Sequence, residues 1–444
     1  MAGSTVLLAL GVWAVLQKNP YQAGLYAYAY PEVLQVRQQT RTEAFQQEVA
    51  FYQERIRRNP QSGLDLAALA ATYMQRARVT GQGRWYLLAE QTAVRSLGVL
   101  PFFNSGARLT LAEALQARHD FDGALKLIAE VLKAESHNSS ARSLRASIRL
   151  ALGEPQRALQ DVIPLVERLP STANLTLRAL VYEGLGKDTA ALADFMAAIR
   201  LEQPDNFFAS ARVRTLLGRH YARRGELERA RGLFQEALRI APNYPQATLW
   251  LADLESRLGN YRSAERLYQQ ILGLHSAEGN AGAGSDTVYD HSAMRGLARL
   301  KRALGSPDET ATWDRIEALL RLEVQHGAYG HRRELAQLLL ERGRPQDLPE
   351  ALGQAQLEAR IRPDWATLST LAWAQMRNKQ LHAAQRSIRV ALQAGIRDAE
   401  LYYRAGQIEQ QLGNQLQAEM YFAQAQEVDP RFDRGFRRWL GLEQ

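Results

Sequence analysis

Small and aromatic residues recur along the chain at spacings that suit paired helices rather than alternating strands. Between positions 210 and 244, Gly218 and Ala230 fall where two short antiparallel helices would touch, and Tyr221 and Phe234 fill the space beside them. Ala237 follows on the second helix, Gly225 centres the turn, and Pro242 blocks further helix. The unit reads as helix, turn, helix and stop. The same grammar returns near the end of the chain as Gly406, Gly413, Ala418, Phe422, Ala425 and Pro430. Six restricted residue types at matched spacing argue for a repeat.

Laid against itself at a period of about 34 residues, the chain yields a series of degenerate copies. Ala146, Gly153, Ala158 and Pro170 form one, and Ala179, Tyr182, Gly186, Ala191, Phe195 and Ala198 another. Ala252, Gly259, Ala264 and Tyr268 follow, then Leu371, Ala372, Ala384, Ile388 and Ala391. Weaker copies fit around residues 69–101, 111–131, 297–320 and 335–363, for about ten units in all. A single hairpin cannot bury both of its apolar faces, so neighbours stack into a superhelical solenoid. The expected fold class is all-α, and the expected particle is one elongated array. No long window shows the period-two alternation of strands.

The array spans residues 63–430, preceded by a leading helix within residues 33–62 and followed by a capping helix within 431–444, where Phe436, Trp439 and Leu440 share one side. Residues 1–32 do not belong to it. The run VLLALGVWAVL at 6–16 is too short for a spanning helix of about 20 residues and resembles the apolar part of an export signal or membrane anchor, although no Lys or Arg precedes it. A core-capping helix is the competing reading. Tyrosines 21, 26, 28 and 30 suit either a membrane interface or a linker packed on the first repeat. The segment SAEGNAGAGS at 276–285 reads as a flexible insertion.

Composition narrows the picture. The 444 residues are 46% hydrophobic and 23% charged, ordinary for a folded soluble chain. Cysteine is absent, which excludes disulfides, thiolate metal sites and a cysteine nucleophile. The net charge of +8 comes almost wholly from arginine, a bias that a GC-rich genome also produces. No Walker-type phosphate loop, HExxH or GxSxG occurs. The eight histidines look scattered, with His326 and His331, or His275 with Asp290 and His291, as the near pairs; they read as solvated loop residues. The sequence therefore points to no catalytic residue, cofactor or metal, and to a chain that is not an enzyme.

What remains is surface. In stacked hairpins the first helix of each unit lines the concave groove, and there the sequence places Arg212, Arg219, Arg223, Arg257, Arg295, Arg299, Arg302, Arg333, Trp373 and Arg377. Guanidinium forks suit carboxylates, so an acidic segment of a protein partner is the expected ligand class. Two bland readings compete. Arginine lines every face of this chain, and Trp373 reads more readily as a packing residue wedged between helices than as a binding platform. Arginines spaced by the repeat without stacking aromatics between them do not make a nucleic-acid track; RNA binding is the weakest alternative.

ARVTG at 77–81, ARHDF at 117–121, LAWAQMRNKQLHAA at 371–384 and GIRDAELYYRAGQIEQQLG at 395–413 carry a family resemblance. The chain resembles bacterial tetratricopeptide repeat proteins, often exported ones, over roughly residues 55–432. The resemblance implies a right-handed superhelical solenoid of stacked helix-turn-helix repeats, a non-enzymatic scaffold or adaptor function, and a place at the bacterial envelope; a cytoplasmic regulator or assembly factor is the alternative. The family's carboxylate clamp for chaperone tails needs asparagines that this groove lacks, so that ligand is disfavoured.

Overall fold

A computed structural model describes residues 34–203, 206–273, 287–326 and 331–443, with only the backbone for 34–42 and 326. The apolar run at 6–16, the tyrosines at 21–30, His275 and the 276–285 insertion lie outside the described residues. Within them the chain forms twenty-two α-helices and no strand, and no helix is long and apolar enough to cross a membrane.

Helix α1 (Leu34–Arg58) leads into ten hairpins. Units one to four are α2 (Gly63–Thr80) with α3 (Gly83–Val99), α4 (Ser105–Ala117) with α5 (Phe121–Ala134), α6 (Ser139–Ala151) with α7 (Pro155–Arg168), and α8 (Thr172–Gly184) with α9 (Asp188–Arg200). Units five to seven are α10 (Phe207–Ala222) with α11 (Leu227–Ile240), α12 (Pro245–Arg257) with α13 (Tyr261–Gly273), and α14 (Asp290–Ala303) with α15 (Glu309–His326). Units eight to ten are α16 (Arg332–Arg342) with α17 (Leu348–Ile361), α18 (Trp365–Arg377) with α19 (Leu381–Gln393), and α20 (Ala399–Gln411) with α21 (Gln415–Val428); α22 (Arg434–Trp439) ends the chain.

Local chemistry sets these bounds. Seven first helices start on a short polar side chain that accepts a hydrogen bond from a backbone N–H of the first turn: Ser62, Asn104, Asn138, Ser171, Asn206, Asp364 and Asp398. After each first helix the chain turns through one residue with positive φ. Eight of these are glycines; the other two are His119 (φ 61) and Lys379 (φ 62). Inside the hairpins, Gly218 lies against Phe234 and Gly406 against Phe422, so tightly that a Cβ on either glycine would overlap the ring. Ala230 and Ala418 are wholly buried in the same interfaces.

From unit one to seven and again from eight to ten, each first helix packs on the next first helix, while the second helices show no comparable run. First helices therefore form the inner wall.

The stacked array coils into a superhelix whose successive turns touch. The turn of each early unit docks on the loop that precedes the first helix six units later. Gly81 meets Tyr289 and accepts a backbone hydrogen bond from Val288 (2.9 Å); His119 lies beside His331; Gly153 meets Asp364; Gly186 meets Gly395; Gly225 meets Asp429. The one antiparallel bridge among the described residues, Gln82 with Thr287, belongs to this seam. The superhelix thus completes a turn in six units, and its second turn rests on its first. Trp439 of α22 stacks on Tyr261 of unit six at 6.2 Å, so the last helix both covers unit ten and touches the turn before it. At Gly153 and Gly186 the two backbones approach too closely for a side chain, whereas Gly81 and Gly225 make room for the Tyr289 ring and the Asp429 carboxylate.

Candidate functional site: the lumen of the superhelix

The inner wall carries buried ion pairs that link neighbouring first helices. On α8 and α10, Glu183 accepts from Arg219 (2.9 Å) and pairs with His220 (2.8 Å). Burial alone would raise the Glu183 carboxyl, but the opposing pull of Arg219, the His220 hydrogen bond and Arg223 holds it at about 2. On α14 and α16, Arg295 (3.0 Å) and Arg299 (3.1 Å) converge on Glu341, while Arg302 donates to the Glu341 carbonyl at 3.1 Å and to the Glu309 carboxylate at 2.7 Å. Burial again pushes Glu341 up, and Arg295 and Arg299 overcome it, holding the carboxyl below its ordinary range. Asp253 is exposed within the cavity, where desolvation by the surrounding wall raises its carboxyl above the ordinary range against a 2.6 Å hydrogen bond from Tyr268.

Two arginine pairs cross between superhelical turns. Arg223 donates to Asp398 at 3.2 Å, and Arg257 pairs with Asp429 while its guanidinium lies 4.2 Å over the Phe436 ring. Arg257 and Asp429 are almost fully buried, with side chains 8% and 3% exposed. Leaving either alone would strand an uncompensated charge.

Two adjoining cavities open beside these pairs. The smaller, of about 250 Å³, is walled by Phe234, Trp250, Phe432, Phe436 and Trp439 with Arg219, Arg223, Arg257 and Arg299. The larger, of about 1050 Å³, lies between the ends of α12, α14 and α16 and the C-terminal helix. Its lining holds six arginines, 257, 299, 302, 342, 431 and 438, against three carboxylates, Glu341, Asp433 and Glu443. Arg431 and Arg438 are exposed and make no salt bridge among the described residues.

The ten positions expected in the groove divide. Arg219, Arg223, Arg257, Arg299 and Arg302 come together at the cavities. Arg295 is spent on Glu341, Arg333 on Glu334 (3.2 Å) and Asp364 (3.5 Å), and Arg377 reaches the Leu340 carbonyl at 3.5 Å. Arg212 is half-buried away from both cavities. Trp373 is buried under the Arg404 guanidinium at 4.5 Å; its ring packs helices and does not reach the lumen. The open basic stripe expected from spacing alone is therefore largely neutralised from within.

Several residues of the site are not visible in the groove pattern. Asp398 and Asp429 come from loops that the first-helix rule does not cover, Phe432 from the segment just before the terminal helix, and Phe436 and Trp439 from that helix. Their separations from Arg223 and Arg257, 175 and 172 residues, are close to five repeat periods, a signal that pairing charges across whole periods would expose. The histidines also prove less scattered than they look: the rings of His291 and His331 lie 4.5 Å apart, with His119 6.5 Å from His331.

Models of the tetratricopeptide repeat match residues 109–163, 176–245, 221–277 and 399–432. The chain is a tetratricopeptide repeat protein. Repeats of this family generally serve as non-catalytic scaffolds for protein–protein interaction. Tetratricopeptide repeat protein 7B of Homo sapiens is similar, 29% identical over 183 residues; the match takes in 40% of this chain and 20% of that protein. The chain thus spans about a fifth of that relative's length. A crystal structure of a tetratricopeptide repeat protein from Parabacteroides merdae is 17% identical, covering 58% of this chain and 93% of that one, with a TM-score of 0.38. The IFIT1 monomeric mutant with Gppp-AAAA is 16% identical, covering 86% of this chain and 67% of that one, at 0.35. Superpositions this loose say nothing of the present chain's ligand.

Proposed function

We propose that this tetratricopeptide repeat protein is a non-enzymatic scaffold that holds an acidic segment of a protein partner in the larger cavity, beneath the C-terminal helix. The observation that carries the reading is the charge of that lining, six arginines against three carboxylates, with Arg431 and Arg438 exposed at its rim. Arg257, Arg299 and Arg302 already serve internal carboxylates, which fixes their forks in place before a ligand arrives. The aromatic wall of the adjoining cavity offers a place for an apolar anchor beside the acidic stretch.

A fluorescent Glu-rich peptide tests the site by anisotropy. Binding that weakens with salt, and that is lost when Arg302, Arg431 and Arg438 become Glu, is the expected result. The control reverses Arg229 and Arg386 on second helices, both exposed. Equal weakening by both sets would mean general steering by net charge and no site.

In this reading the scaffold works at the bacterial envelope, exported or tethered to the inner membrane, a location supported by the apolar run at residues 6–16. Leu8→Asp with Val12→Asp is expected to leave the protein in the cytoplasm on fractionation. An unchanged distribution favours the cytoplasmic regulator or assembly factor instead.

A further inference from the structure

We infer that His291, Glu323 and His331 form a binding site for a borderline transition-metal dication of the Zn²⁺ type. The three come from different elements: the start of α14, the last turn of α15 and the residue that caps α16. One ligand atom from each lies within 4.8 Å of the others, and His331 Nε2 is 3.7 Å from Glu323 Oε2. With metal–ligand bonds of about 2.0–2.1 Å, tetrahedral ligand atoms stand roughly 3.4 Å apart. The group therefore needs to draw in by little more than an ångström, within reach of rotamer adjustment at the imidazoles and the long Glu323 side chain.

The second, independent observation is unmet polarity. His291 is 6% exposed and its Nδ1 has no hydrogen-bond partner; Glu323 Oε2 and Glu334 Oε2 are buried without one as well. Buried polar atoms left unsatisfied are rare, and an absent ion is one standard reason for them. Glu334 Oε2 lies 4.0 Å from His331 Nδ1, on the side away from Glu323. That is where a carboxylate steadies a metal-bound imidazole through its other N–H. The nearby guanidiniums do not oppose a cation unchecked: Arg333 is paired with Glu334 and Asp364, and Arg362 with Glu358 (2.7 Å) and Asp364.

Two histidines of this neighbourhood also occupy positions that other units give to structural residues. His331 stands where seven units place a Ser, Asn or Asp cap, and its side chain makes no capping bond. His119, whose ring walls the cluster from the other superhelical turn, stands at a positive-φ turn position otherwise held by glycine in all units but one more. A metal here would tie α14, α15 and α16 together at the junction of units seven and eight.

The test uses the full-length chain, stripped with chelator and back-titrated with Zn²⁺, with bound metal counted by mass spectrometry. One Zn²⁺ per chain is expected, accompanied by a rise in melting temperature. His291→Ala or His331→Ala should weaken binding by at least about 100-fold, and Glu334→Gln by roughly 10–100-fold, the range for an outer-shell partner. His137→Ala with His382→Ala, both exposed, should change nothing. Retained binding in the His291→Ala, His331→Ala double variant, or loss only in the exposed-histidine control, overturns the site. If the alanine variants do not fold, the wild type loaded with Co²⁺ decides. Intense visible absorption of a tetrahedral centre supports the site, and the weak spectrum of the hydrated ion overturns it.

Discussion

Units four and two dock on the next superhelical turn through the same turn position, with opposite chemistry. At unit four Gly186 approaches so closely that a Cβ would stand 2.0 Å from the Gly395 carbonyl oxygen, and backbone meets backbone. At unit two the same position is His119, held at φ 61, with its ring stacked on Phe121 at 5.4 Å and facing His331. A left-handed conformation costs a non-glycine residue about 1–2 kcal/mol. The seam therefore has two modes: closure by omission of side chains, and closure around polar ones at a local cost. Strain of the second kind gathers where a side chain has a task beyond packing.

The largest effect is expected where the seam depends on charge. Asp429→Ala leaves Arg257 buried without its carboxylate and should lower stability by about 3–5 kcal/mol, read from urea unfolding. A loss below 1 kcal/mol would mean that water reaches Arg257 and that the turns are not tightly apposed there.

Acid probes the contacts inside one turn, for comparison with those between turns. The Glu183 carboxyl is depressed from 4.5 to about 2, so its contribution is fully present above pH 4.5. It is lost as pH falls from there through 2, and amounts to roughly 3 kcal/mol. Glu183→Gln should flatten the stability profile across that window while leaving its shape above pH 5 unchanged. An identical acid slope in the variant would show that the α8–α10 pair is not what titrates.

Gly186→Ala attacks the backbone junction and should cost about 2–3 kcal/mol, combining the left-handed conformation with overpacking. His119→Gly, at the equivalent position of unit two, is expected to stay within about 1 kcal/mol of the wild type. Relief of backbone strain there opposes the loss of the ring stack on Phe121. Equal and large losses at both positions would erase the distinction between the two junctions.

Fold class was legible in the sequence because its signals are local. Gly218 with Phe234, Ala230, Gly225 and Pro242 each report on neighbours within one hairpin, and the repeat multiplies the message. Closure of the superhelix was not legible, because the twist between units accumulates over six of them and no single hairpin encodes it. The internal partners of the groove arginines were hidden for the same reason. Arg223 and Arg257 sit at the ends of first helices, as their spacing implies, but their partners Asp398 and Asp429 arrive from a different superhelical turn. His291 and His331 likewise look unrelated at 40 residues' separation, until α15 brings its last turn back between them.

The central claim is that the second superhelical turn rests on the first. The chain has no cysteine, so Lys187→Cys with Arg397→Cys creates a unique pair. Both positions are exposed and adjoin the Gly186–Gly395 contact. Treatment with a short bismaleimide at low protein concentration, followed by mass spectrometry of the digest, reads whether the two loops meet. Near-complete intramolecular crosslinking in the double variant is the expected result. An open superhelix would hold these loops a full pitch apart, and monomer that carries only singly attached reagent would contradict the closed architecture.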